Sequence, residues 1–111
     1  MVETYRADLA ALVDRSGLSK QDRGRIECRH FFSGAAAYAD GKIFMSLSPA
    51  GLALKLPEDR CAELLAAGAG PLKYFAKSPI KKGYVVLPAA IAEDRSALLA
   101  LLKESLRHCR S

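Results

Sequence analysis

Apolar residues recur along this chain at two spacings, near 3.6 and near 2, and the change from one to the other divides it into helices and strands. Tyr5, Leu9, Leu12 and Val13 share one face of a helix over residues 3–15, with Arg6, Asp8 and Asp14 elsewhere on it. Ser16-Gly17 ends that helix, the glycine supplying the left-handed residue that follows many helices. Residues 18–24 are mostly polar, which predicts a loop. Residues 25–32 alternate as a strand does: Ile26, Cys28, His30 and Phe32 against Arg25, Glu27, Arg29 and Phe31. Ser33-Gly34 then marks a bulge or bend.

Asp40-Gly41 lies between two alternating segments, the strongest short-range hairpin signal, because a type I′ turn needs positive φ at both central residues. The turn predicts pairs Ala39–Lys42, Tyr38–Ile43, Ala37–Phe44 and Ala36–Met45, small residues opposite large ones. A second turn at Ser48-Pro49-Ala50-Gly51 pairs Leu47 with Leu52, Met45 with Leu54 and Ile43 with Leu56, all on one face. Lys42, Phe44, Ser46, Ala53 and Lys55 fall on the other, so one face is core and the other is at least partly wet.

Pro57, Glu58 and Asp59 suit a helix start, with Cys61, Leu64 and Leu65 as its buried stripe and Gly68 and Gly70-Pro71 as its stop. Leu72–Phe75 and Gly83–Leu87 read as two further strands joined by residues 76–82, where Pro79 bars a regular central strand. Asp94 or Ser96 caps a last helix reaching about His108, with Leu98, Leu102, Leu106 and Cys109 on its apolar face. The order is helix, three or four strands, helix, two strands, helix. It predicts an α+β two-layer sandwich: an antiparallel sheet of five or six strands with helices packed on it. The whole chain, 1–111, is read as one domain, since a second core would leave each half marginal.

Composition narrows the class. No apolar run approaches the roughly 20 residues of a membrane span, so no membrane association is expected. The mixed, acidic start is unlike a signal peptide, and the expected location is cytoplasmic. Cys28, Cys61 and Cys109 are odd in number and widely spaced, which predicts free, mostly buried thiols. The formal net charge of +5 permits nucleic-acid or acidic-protein partners and selects neither.

Catalytic motifs do not emerge. Cys28 with His30 and His108-Cys109 could hold zinc only if the pairs met in space, and an ordinary half-buried strand explains the first pair equally. The chain has no nucleophile-elbow, phosphate-loop or zinc-protease signature, and its acid pairs Glu58-Asp59 and Glu93-Asp94 sit at helix starts. The expectation is a protein that is not an enzyme and takes no cofactor and no metal. Lys73, Lys77, Lys81 and Lys82 fall in a stretch without acids, interleaved with Tyr74, Phe75 and Tyr84. Such a segment can follow a phosphate backbone. It also reads as an exposed hairpin whose lysines discourage edge-to-edge aggregation.

Residues 29–44 carry a recognisable pattern: Arg29, Phe32, Gly34, Tyr38, Asp40-Gly41-Lys42 and Phe44. This resembles the signature of the TfoX N-terminal domain family, with Phe31 where methionine is usual, Ser33 where the first glycine is usual and Ala35 for a frequent aromatic. The likeness continues through Leu52–Leu56, the helix from Glu58, Pro71–Phe75 and Tyr84–Pro88. It implies a two-layer α+β fold like that of small secretion-chaperone domains, a link to regulation of natural competence, and no catalytic site. The second domain of the full regulator has no counterpart in these residues. The expected function is a noncatalytic regulatory or interaction module acting through a protein partner or self-association. Nucleic-acid binding through Lys73–Lys82 is the alternative, and a small enzyme or ligand-binding protein with a pocket near Cys28 and His30 is the third reading. Candidate binding residues are Arg29, Lys42, Lys73, Lys77, Lys81 and Lys82.

Overall fold

In the computed structural model, which describes residues 2–31, 34–73 and 82–110, the alternating segments form one sheet and the 3.6-period segments pack on it. Its strands are β1 (Ile26–Phe31), β2 (Gly34–Ala39), β3 (Lys42–Ser48), β4 (Gly51–Lys55), β5 (Gly70–Pro71) and β6 (Tyr84–Val86). The helices are α1 (Val2–Arg15), α2 (Lys20–Gly24), α3 (Glu58–Ala66), α4 (Ala89–Ala92) and α5 (Arg95–Arg110). All neighbouring strands are antiparallel, in the order β1-β2-β3-β4-β6-β5. The α+β sandwich read from the sequence is the observed fold. Leu9, Leu12 and Val13 of α1, Cys61 and Leu64 of α3, and Leu98, Leu102, Leu106 and Cys109 of α5 bury against Ala35, Ala37, Met45, Leu54 and Val85 of the sheet.

The segment expected to be a loop, residues 18–24, carries a helix, and α4 adds a further short helix ahead of the last one. Ser19 accepts a hydrogen bond from the Asp22 amide at 3.1 Å, which caps and nucleates α2 inside the supposed loop. Leu18, just before it, is buried in the core. Pro88 precedes α4, its carbonyl accepting from Ile91 and Ala92 at 3.0 Å each. Asp94 caps α5 as expected, Oδ1 accepting from the Ser96 and Ala97 amides at 3.1 and 3.2 Å. Replacing it by Ala should cost about 1 kcal/mol in urea unfolding, while Asn should be nearly neutral. Equal losses for both would rule out the cap as the cause.

The first hairpin turns where expected. Asp40 has φ +52 and Gly41 φ +83, as a type I′ turn requires. Ala39 pairs with Lys42 and Tyr38 with Ile43, but the next pairs are Ala37–Met45, Ala36–Ser46 and Ala35–Leu47. The expected pairs Ala37–Phe44 and Ala36–Met45 do not form, because Phe44 is an extra residue in a β-bulge. The bulge reassigns the faces. Phe44 is fully buried in the core with Met45, whereas Ile43 is half-buried beside its partner Tyr38. The second hairpin keeps its expected register at Leu47–Leu52 and Met45–Leu54, but pairing ends there and Ile43–Leu56 is not made. Ser105 of α5 reaches the place where the next pair, Phe44–Lys55, would stand. Its hydroxyl lies 2.6 Å from the Lys55 carbonyl oxygen and 3.3 Å from that of Phe44.

The face away from the helices is drier than expected. Ala36, Ser46 and Ala53 form a row across β2, β3 and β4, each 0 % exposed. Ala53 packs with Leu72 and Tyr84 in a second, smaller core. Leu65 leaves its expected stripe and is 42 % exposed. The expected strand Leu72–Phe75 starts two residues early, as β5, with Gly70 opposite Val86 and Pro71 opposite Val85. Leu72 and Lys73 lie outside it, and Tyr74 and Phe75 lie outside the described residues.

Candidate functional site

Of the described members of the proposed basic set, Arg29 and Lys42 have partners of their own. Arg29, on β1, donates to Glu27 Oε1 at 2.8 Å and lies 5.2 Å from the centre of the Tyr38 ring. The hydrogen bond, reinforced by the charge of Arg29, holds the Glu27 carboxyl below the usual range. Lys42 opens β3 and sends Nζ to the Cys109 carbonyl oxygen at 3.4 Å, where α5 presents its negative end. That places Lys42 on the helix side, not on the wet face expected for it. Arg25 pairs with Asp40 across the hairpin mouth, Nε to Oδ1 at 3.2 Å. Lys82 lines a concavity of about 360 Å³ together with Glu58, Cys61, Leu65, Pro71 and Tyr84. Lys73 is exposed just after β5, and Lys77 and Lys81 lie outside the described residues.

Convergence is partial. Lys42, Lys55 and Lys82 share one end of the sheet, where β3 begins, β4 ends and β6 begins. Arg29 belongs to β1 at one edge and Lys73 follows β5 at the other. Five inter-strand gaps of about 4.8 Å put those edges roughly 24 Å apart. Cys28 packs partly against the main core, and burial pushes its thiol up. His30 is exposed. Among the described residues no three His, Cys, Asp or Glu side chains are placed to hold a metal ion. No helix among them is long and apolar enough to cross a membrane.

Among the described residues, β1 presents a row of backbone groups on the side away from β2. The Asp40 amide donates to the Arg25 carbonyl at 3.3 Å, which sets the phase of the β1–β2 ladder. Residues 27 and 29 therefore turn their backbone groups toward β2, and Ile26, Cys28 and His30 turn theirs outward. Among the described residues no strand lies beyond β1. At the other edge β5 has two residues, and one, Pro71, has no N–H. Sequence reading treated Arg29 as a cation for a ligand and overlooked its alternation with Glu27. Alternating charge on a strand is itself an edge signal.

An antiparallel sheet with one face under helices defines an α+β sandwich domain. The chain matches the TfoX N-terminal domain over residues 18–109 of 111 and belongs to that family. A search of curated proteins gave no match. The described residues of the family-like pattern have structural tasks. Arg29 covers Tyr38, Asp40-Gly41 make the turn, Lys42 meets the end of α5, and Phe44 forms the buried bulge. Gly34 leaves room for β3, since a Cβ there would stand 2.8 Å from Ser48 Cα.

Proposed function

We propose that this domain is a noncatalytic regulatory module that works by binding a protein partner along the β1 edge. The competence-linked regulation implied by the family resemblance is its setting. The observation that carries the reading is the row of outward backbone groups at Ile26, Cys28 and His30. An extended segment can join the sheet there, with main-chain bonds for affinity and flanking side chains for choice of partner.

The test uses one block and one control. His30→Pro removes an outward N–H without touching the ladder to β2. A photo-cross-linking residue at Glu27 is expected to capture a discrete protein, and His30→Pro to reduce capture at least tenfold with the melting curve preserved. The same residue at exposed Lys103 on α5 should capture nothing comparable. Equal capture from both positions, or capture indifferent to the proline, defeats the reading.

A second reading, nucleic-acid binding, draws on the exposed or half-exposed Lys42, Lys55 and Lys82 at one sheet end. It expects affinity for a short DNA duplex that falls steeply with salt, and loss of binding on replacing Lys77, Lys81 and Lys82 by Ala. Absence of binding at low salt, or binding that ignores salt, defeats it.

A further inference from the structure

We propose that the partner of the β1 edge is a second copy of this chain, paired antiparallel about a two-fold axis through Cys28. The inference rests on the edge-binding reading and deepens it by naming the occupant.

The charges on β1 select this register. Glu27 and Arg29 lie on the face away from the helices, one residue to either side of Cys28. Antiparallel pairing about Cys28 puts Glu27 opposite Arg29 of the second copy, and Arg29 opposite its Glu27. An axis at Glu27 would set two carboxylates face to face, and an axis at Arg29 two guanidiniums; like charges directly opposite destabilise a sheet. The backbone phase agrees independently. Because Ile26, Cys28 and His30 point outward, they become the hydrogen-bonded positions of the new ladder: Cys28 with Cys28, and Ile26 with His30. Residues 27 and 29 become the non-hydrogen-bonded positions, where side chains approach most closely. The existing Glu27–Arg29 pair thus opens into a four-charge cluster across the axis, with Tyr38 under each arginine.

A single six-residue strand gives a small interface, below about 1,200 Å². The dimer is therefore concentration-dependent and gives way to monomer on dilution.

Cys28 supplies the readout. In a hydrogen-bonded antiparallel pair the two Cα atoms stand about 5.5 Å apart, within the range a disulfide spans. With copper phenanthroline as oxidant, two Cys28 thiols lose two protons and two electrons and form one S–S bond. The purified protein is expected to give a disulfide dimer that disappears in Cys28→Ser and persists in the Cys61→Ser/Cys109→Ser variant, those two thiols being buried. Glu27→Arg and Arg29→Glu should each lower the cross-linked fraction at least tenfold, by placing like charges opposite each other. The double variant Glu27→Arg/Arg29→Glu should restore it to within about threefold. Sedimentation of the unoxidised proteins should follow the same order, which guards against a thiol artefact.

No Cys28 dimer at high protein concentration, or no rescue by the double swap, overturns the inference. If the dimer is absent while edge-dependent capture of a different protein persists, the two-fold pairing fails and the edge-binding function stands. If both are absent, both fail.

Discussion

Gly34→Ala is expected to lose about 3 kcal/mol or more of stability, read as a urea midpoint lower by roughly 1.5 M. Gly34 is not in the left-handed region, so conformational freedom is not the reason. Space is. A Cβ at this position falls onto the Leu47 carbonyl oxygen and comes within 2.8 Å of Ser48 Cα and Cβ. Two of those three atoms are backbone and cannot rotate aside. Relief requires the end of β3 to move away from β2, next to the Ala35–Leu47 pair. Gly41→Ala is the internal comparison. Its Cβ meets nothing within 4 Å, but its φ of +83 strains any side chain, so a loss of about 1 kcal/mol is expected. A smaller loss at Gly34 than at Gly41 would defeat the close-approach explanation.

Ser105→Ala should cost about 2 kcal/mol, although it removes a single oxygen. The hydroxyl has one proton, which goes chiefly to Lys55 O at 2.6 Å, with Phe44 O at 3.3 Å as a second acceptor. Both carbonyls belong where the β3–β4 pairing has ended. Ser105 is fully buried, so water cannot replace the lost donor without opening the core. The loss should appear as a lower unfolding midpoint at unchanged denaturant slope. A change within about 0.5 kcal/mol would show that the sheet end is satisfied without the hydroxyl.

The bulge and Ser105 also explain where sequence reading stops. The Asp40-Gly41 turn was legible because it is decided by the φ values of two residues. Register two pairs beyond it was legible for the same reason. The third pair was not. Ile43, Phe44 and Met45 are all apolar, so alternation cannot tell which of them is the extra residue. The choice is made from α5, whose Ser105 lies against Phe44 O and whose Cys109 Sγ lies 3.7 Å from Lys42 O. Those contacts join residues more than sixty positions apart. Leu65 misled for another reason: helical spacing places it beside Leu64, but it sits on the wall of the open concavity it shares with Pro71, Lys82 and Tyr84 and stays exposed.

The candidate residues were legible as charges and not as a site. Lys42 sits on the helix side, and Arg29 and Lys73 lie at opposite edges; both facts depend on strand order, which no local pattern contains. The alternation of Glu27 and Arg29 was visible in the sequence. Its meaning required knowing that, among the described residues, β1 has a neighbour on one side only.

The contrast between the two borders of the sheet has a consequence for solubility. Growth by strand addition needs a second border to continue after the first is used. Among the described residues that border is the two-residue β5 with Pro71, which offers no row of donors to an incoming strand. Joining through β1 leaves short proline borders at both ends, so growth halts after one step. A stubby final strand can thus keep a sticky sheet from becoming a fibre.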